Sequence, residues 1–236
     1  MKILSLDTTA KVLSMAICED ERLIAETTLN TGNTHSETIL VVLDELLSKS
    51  GLAVKDIDLF ACSSGPGSFT GVRIGVSFIK GLAFGTSKPC AGVSTLEALA
   101  YNLKDSRGII CPVMDARRSQ LYNALFRSDG KSLKRICPDR LISAAELESE
   151  LASYNKDIYF CGDGYDIAKN EISHPKAKTV NRSHTYQSAY STAQIALANY
   201  QKGGINTDST LTPTYLRASQ AERELKEKNE KGGANQ

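Results

Sequence analysis

The stretch that most restricts the fold lies in the middle of the first half of the chain. An apolar run at 57–62 (IDLFAC) leads into the loop SSGPGSFTG at 63–71, and a helical pattern follows at 72–84. A short apolar run bounded by turn residues reads as a buried strand. Gly65, Gly67 and Gly71 permit positive φ and close backbone approach, and Ser68 and Thr70 can cap the helix that follows. A glycine-rich loop that opens a helix is an anion-binding geometry, because free N–H groups and the helix dipole point outward. The same residues equally suit a structural turn that lets helix 72–84 pack tightly. The loop, Gly65-Pro66-Gly67-Ser68-Phe69-Thr70-Gly71, is not a P-loop, since no Gly-Lys-Ser/Thr closes it.

The flanking pattern places this unit. Residues 3–6, 12–18 and 22–28 read as three strands, with Glu19-Asp20-Glu21 turning between the last two. A helix is predicted over 35–50. Thr34 and Glu37 form a capping box at its start, Ile39, Leu40, Leu43, Leu46 and Leu47 follow at helical spacing, and Gly51 ends it. A strand at 90–93 and a helix at 94–103 complete a first lobe, 1–103. The order, a meander followed by strand–helix units, gives a mixed sheet with helices on its faces. Gly75 and Gly81 lie inside helix 72–84, where each costs about 1 kcal/mol relative to alanine, so close approach of a neighbouring element is expected at both. A second lobe is expected over 104–218, with strands at 109–114, 120–127 and 158–161 and helices at 143–153 and 191–202. The segment 219–236, rich in Glu and Lys, reads as a charged, disordered tail.

The chain has 236 residues and a net charge of +1, from 28 basic and 27 acidic residues. Autonomous RNA binders usually carry a large basic excess, so this balance argues against a strong grip on RNA by the chain itself. The six cysteines, at 18, 62, 90, 111, 137 and 161, show no C-x-x-C spacing and read as buried thiols. The N-terminus reads as a strand interrupted by Asp7 rather than a signal peptide, and no apolar run reaches the length of a membrane span. These features lead to the expectation of a soluble, cytoplasmic protein.

A second candidate site is Asp7-Thr8-Thr9 after the first strand, where an acidic side chain could serve magnesium and hydroxyls could serve phosphate. An Asp/Thr turn explains the same residues. For metals the pattern is poor. His35 has Ile39 four residues on, and His174 and His184 lie far away, so no paired imidazoles occur and no metal is expected. No Ser-His-Asp or Cys-His order suggests a nucleophilic triad, so no catalytic residue is assigned.

Taken together, these blocks resemble the TsaB (YeaZ) family. ILSLDTT at 3–9, HSETILVVLDELL at 35–47 and, above all, SSGPGSFTGVRIGVSFIKGLA at 63–83 match its pattern, as do PVMDARRSQLYNALF at 112–126 and PTYLR at 213–217. The resemblance implies an α/β protein of the actin-like, sugar-kinase-like fold, two lobes each with a mixed β-sheet flanked by helices. It implies a non-catalytic subunit that supports a TsaD-type enzyme in transferring threonylcarbamoyl to adenosine 37 of tRNA. The implied partners are the TsaD-type subunit in a heterodimer and a TsaE-type ATPase, with tRNA reached through the complex. No cofactor is expected in the isolated chain, with ATP or ADP only within the complex and Asp7, Thr8 and Thr9 as a vestigial nucleotide site. A homodimer of the isolated chain stays open. The partner interface is expected on the helices at 35–50 and 72–84, at His35, Ile39, Val42, Leu43, Leu46, Arg73, Gly75, Val76 and Ile79. The competing reading is a small-molecule kinase on the same fold, with GDGY at 162–165 cradling phosphate and Asp115 as its base.

Overall fold

A computed structural model describes residues 1–217, so the expected tail at 219–236 lies outside the described residues. The first lobe is built on a five-stranded sheet in the order β3-β2-β1-β4-β5, formed by Lys2–Asp7 (β1), Leu13–Glu19 (β2), Arg22–Leu29 (β3), Leu59–Gly65 (β4) and Cys90–Ser94 (β5). β1, β2 and β3 are antiparallel neighbours, while β4 and β5 add in parallel. The meander and the parallel additions are those that the sequence implies.

Helices α1 (His35–Ser50) and α2 (Phe69–Thr86) cover one face of this sheet. The Glu37 carboxylate accepts from the Thr34 N–H at 2.9 Å and from its hydroxyl at 2.7 Å, which fixes the start of α1. Gly51 ends it at φ +64, a left-handed conformation that suits glycine. The opposite face is covered by α6 (Ala189–Gln201), where Ala189, Ala193 and Ala196 pack against Ala16, Cys18, Ala61 and Ala91. Such small side chains bring the helix close enough for the Ser5 hydroxyl to donate to the Ala189 carbonyl at 2.6 Å.

The helix α6 corrects the expected division of the chain. It lies within 104–218, yet its partners are strands of the first lobe. The chain stays there afterwards: Asn206 bridges to Cys90, and Leu211 is buried in the α1/α2 core. The first lobe is therefore built from both ends of the described chain. α3 (Thr95–Tyr101) leads from it into the second lobe, packing on both α6 and the next strand.

The second lobe is a seven-stranded mixed sheet. Its spine is β6 (Arg107–Asp115), which pairs in parallel with β11 (Ile158–Cys161) on one edge. On the other edge the strand expected at 120–127 is two strands, β7 (Gln120–Asn123) and β8 (Phe126–Asp129). β8 pairs with the first half of β6 and β7 with the second half. The break falls beside Pro112, which has no N–H to give the ladder. Asn123, fully buried, fills the gap by donating to the Pro112 and Ala124 carbonyls at 3.1 Å each. β9 (Leu133–Arg135), β10 (Arg140–Ser143), α5 (Tyr165–Glu171) and β12 (Ala177–Lys178) were not legible in the sequence. They are two to seven residues long, too short for a periodic signal. α4 (Ala144–Leu151) begins at the expected Ser143/Glu146 box.

The two helical glycines part company. A β-carbon at Gly75 would stand 2.4 Å from Thr8 Oγ1, so close approach explains that glycine. One at Gly81 would meet nothing within 4 Å among the described residues, and the expectation of a neighbouring element at that position is not met there. Gly81→Ala is therefore expected to stabilise the isolated chain by about 1 kcal/mol, and Gly75→Ala to destabilise it by about 1–3 kcal/mol. Urea unfolding of the two variants reads both signs.

Candidate functional site

The end of β1 and the start of α2 meet through the loops that follow β1 and β4. The Thr8 hydroxyl donates to the Gly71 carbonyl at 2.8 Å, and the Ser68 N–H donates to the Thr9 carbonyl at 2.7 Å. A β-carbon at Gly67 would stand 2.5 Å from the Thr9 carbonyl oxygen, and one at Gly71 only 2.0 Å from that of Thr8. The glycines that suggested a phosphate cradle are thus occupied by the chain's own backbone. Ser68, not Thr70, supplies the cap, its Oγ accepting from the Gly71 N–H at 3.4 Å, and Thr70 is exposed. Of the two readings of the loop, the structural turn accounts for Gly67, Gly71 and Gly75.

Asp7 is fully buried. Its Oδ1 accepts from the Thr9 N–H at 2.9 Å and the Thr9 hydroxyl at 2.7 Å, while Oδ2 has no partner of hydrogen-bonding geometry. Burial pushes the carboxyl pKa up, against the pull of the Ser63 hydroxyl, the Thr9 groups and the His35 charge. A carboxyl sealed within its own turn offers no oxygen to a cation in solvent in this state. The arrangement is the Asp/Thr turn rather than an open magnesium site.

Between the lobes lies a cleft of about 610 Å³. Thr9, Lys11, Gly67 and Ser68 line it from the first lobe, and Asp115, Arg117, Arg118 and Asp163 from the second. The segment 211–217 crosses its edge. The Thr214 N–H donates to the Ser64 carbonyl at 2.7 Å, and the Arg217 guanidinium donates to the Ala116 carbonyl at 2.5 Å, so this strap ties the lobes together. Tyr215 stacks on Phe69 with ring centroids 4.6 Å apart. Arg73 lies 4.2 Å over the Phe69 ring and donates to the Tyr215 hydroxyl at 3.1 Å. Arg73, expected at the partner interface, thus braces the strap, as does Phe69 of the glycine-rich loop. The motif PTYLR carries this contact, but nothing in its spacing says that it returns to Phe69.

The second-lobe wall is acidic and basic in alternation. Asp115, the candidate base, accepts from the Arg117 N–H at 2.7 Å through Oδ1 and pairs with its guanidinium at 3.2 Å through Oδ2. Arg117, Arg118 and Ser119 all have left-handed backbone, at φ of 65, 55 and 55, in the tight β6–β7 turn. In GDGY, a β-carbon at Gly162 would stand 2.2 Å from the Val113 carbonyl oxygen and one at Gly164 3.0 Å from it. Those glycines therefore seat the turn on β6. Asp163 keeps an exposed edge at the cleft but is crowded by protein. Burial raises its pKa to about 6, the Asp115 N–H opposes this, and the Asp115 carboxylate adds to it.

His35 bonds through Nε2 to the Ala10 carbonyl at 2.8 Å, a structural link from α1 to the β1–β2 loop. Among the described residues no group of three or more His, Cys, Asp or Glu is placed to hold a metal ion. No helix among them is long and apolar enough to cross a membrane. Cys18, Cys62, Cys90, Cys111 and Cys161 are buried, and Cys137 is half-buried.

The helix residues expected at an interface face inward. Ile39, Val42, Leu43, Leu46, Gly75, Val76 and Ile79 are all buried, packed on the lobe's own sheet, and a partner cannot reach them. The exposed apolar side chains are instead Leu40 at 64%, Val41 at 66% and Phe84 at 75%. The error is one of helical phase: ILVV contains both faces, and apolarity alone does not say which one meets the sheet.

The cleft chemistry gives one direct check. The Asp163 carboxyl is expected to titrate near pH 6, and Asp115→Asn to bring it down by removing the like charge while keeping the backbone N–H. Carboxyl-resolved NMR titration measures both. An unchanged midpoint in the variant would rule out the Asp115 charge as a cause.

Comparison with known proteins gives the lineage. A family model described as "TsaD: tRNA N6-adenosine threonylcarbamoyltransferase" matches residues 23–225. The chain is 30% identical to the tRNA threonylcarbamoyladenosine biosynthesis protein TsaB of Bacillus subtilis over 94% of this chain and 96% of that one. It is 37% identical to TsaB of Escherichia coli over 55% of this chain and 56% of that one. Its fold matches the crystal structure of YeaZ from Pseudomonas aeruginosa, with a TM-score of 0.79 and 23% identity over 91% of this chain and 99% of that one. The two-lobed fold of YeaZ is thereby shared, and the chain belongs to the TsaB (YeaZ) family.

Proposed function

We propose that this protein acts in threonylcarbamoyladenosine formation on tRNA as a non-catalytic subunit. It docks a TsaD-type enzyme through the outer face of α1 and α2. The observation that carries the reading is the exposed apolar surface of this helix pair. Leu40 and Val41 stand out from α1, and Ser77, Gly81 and Phe84 form an exposed stripe at helical spacing on α2. A β-carbon at Gly81 would meet nothing within 4 Å among the described residues, so a partner helix can come close there. Large exposed apolar side chains on a rigid helix layer suit a hydrophobic interface centre. Support for a non-catalytic role comes from the cleft, where the glycine-rich loop and Asp7 are engaged within the chain and Asp115 is tied to Arg117. A TsaE-type ATPase, tRNA and any ATP or ADP belong to the assembled complex in this reading.

The test compares two pairs of charge variants. Leu40→Asp/Phe84→Asp should fold like the parent and bind a TsaD-type partner at least about 100-fold more weakly, since a charge buried unpaired at an interface costs several kcal/mol. Val42→Asp/Ile79→Asp should instead lose the folded state, because both side chains lie in the core. Gel filtration, circular dichroism and calorimetry with the partner separate these outcomes. An outer-face variant that binds normally would place the interface elsewhere. ATP turnover by the isolated chain would overturn the non-catalytic reading and favour a kinase.

A further inference from the structure

A second groove, of about 580 Å³, opens away from the cleft where the end of α3, the edge of β3 and the start of α6 meet. Tyr101, Tyr186 and Tyr190 line it, each half-buried. Gln187, only 2% exposed, lies against the same groove, and neither its Nε2 nor its Oε1 has a hydrogen-bond partner among the described residues. A buried polar group left unpaired is costly, and native structures carry few of them. Here a carboxamide is unpaired at both ends beside an open groove.

The surroundings decide what kind of ligand fits. The start of α6 offers no anion site, since its N–H groups are taken: Ala189 donates to Ser14 Oγ at 2.9 Å, Tyr190 to Glu26 Oε1 at 3.1 Å and Ser191 to Ser188 Oγ at 3.4 Å. The Glu26 carboxylate adds negative charge at the wall. Lys104 is directed onto Tyr101, 4.4 Å from the ring centroid, and donates to its hydroxyl at 2.9 Å. The Tyr190 hydroxyl donates to the Glu21 carbonyl at 3.1 Å. With their hydroxyls so engaged, Tyr101 and Tyr190 offer the groove their rings. Ring surface beside a free donor–acceptor pair, without a free cation grip, matches an uncharged planar heterocycle.

We propose that this groove binds a single nucleobase, adenine, stacked on tyrosine and paired at two points with the Gln187 carboxamide. A glutamine amide meets an adenine edge with one donor and one acceptor, and a base stacks favourably on an aromatic side chain. Both amide atoms are sealed from solvent in this structure, so pairing with a base requires the Gln187 side chain itself to turn toward the groove. The same chemistry is offered by free adenosine and by an unstacked adenine in single-stranded RNA. The proposal stands independently of the partner-subunit reading.

The experiment titrates the full chain by calorimetry with adenosine and with a short oligoadenylate RNA. Parent protein should bind at least one of them, with an affinity that changes less than about twofold between low and moderate salt for adenosine, because no phosphate is gripped. Gln187→Leu should weaken binding at least about tenfold, the scale of a lost two-point base contact, while its thermal midpoint stays at or above the parent's. Tyr186→Ala should weaken binding as well. Tighter binding of the RNA assigns the site to an RNA base, and equal or tighter binding of adenosine assigns it to a free nucleoside. Failure of both ligands at millimolar concentration overturns the proposal, and so does unchanged affinity in Gln187→Leu. A large drop in that variant's thermal midpoint would also overturn it, since the carboxamide would then have a partner.

Discussion

The contact between the loop after β1 and the start of α2 organises the first lobe. Thr8 and Thr9 offer their carbonyls and a hydroxyl, and Gly67, Gly71 and Gly75 let the helix come within reach. Alanine at any of the three would drive a β-carbon to 2.5 Å or less from a polar atom of Thr8 or Thr9. Interiors packed to crystal density do not absorb such overlap without a backbone shift. The position of α2 fixes α1 beside it, and through Phe69 and Arg73 it fixes the strap as well. A motif with the look of a ligand cradle is thus a packing device.

The strap and α6 make the lobes interdependent. α3 carries the chain out of the first sheet, and α6 and residues 203–217 bring it back, so the first lobe is completed only after the second has been made. Arg217 then reaches the β6–β7 turn, where Arg117, Arg118 and Ser119 hold left-handed backbone. Left-handed non-glycine residues cost about 1–2 kcal/mol each, so this turn is held by its surroundings rather than by its own preference. Asp115 contributes by accepting from the Arg117 N–H inside the turn.

Two surfaces remain after the core is accounted for. The outer face of α1 and α2 exposes Leu40, Val41 and Phe84, the observation on which the proposed docking of a partner rests. The groove beside Gln187 is different in kind, because its signature is an unmet hydrogen-bonding need rather than exposed area. Its residues come from β3, from the end of α3 and the residues after it, and from the segment 183–191 that leads into α6, far apart in the chain, and no local pattern joins them.

The sequence by itself determined the order of strands and helices from β1 to α3, the capped starts of α1 and α4, the buried β4 and the family. Each rests on local rules: periodicity, caps, and a specific motif at 63–83. Periodicity gave no phase, so Val42 and Ile79 were legible as apolar but not as inward, and Leu40 and Phe84 not as outward. It gave nothing for β9, β10 and β12, nor for the interruption of the β6 edge beside Pro112. Whether Gly67 and Gly71 served an anion or a neighbour was equally undecided, because glycine permits both. Only the tertiary structure decided these points. Each depends on which atom of a distant segment occupies the space: Thr8 against Gly71, Ala189 against Ser5, Arg217 against Ala116. Such distances are set by the packing of the whole chain, not by the spacing of residues along it.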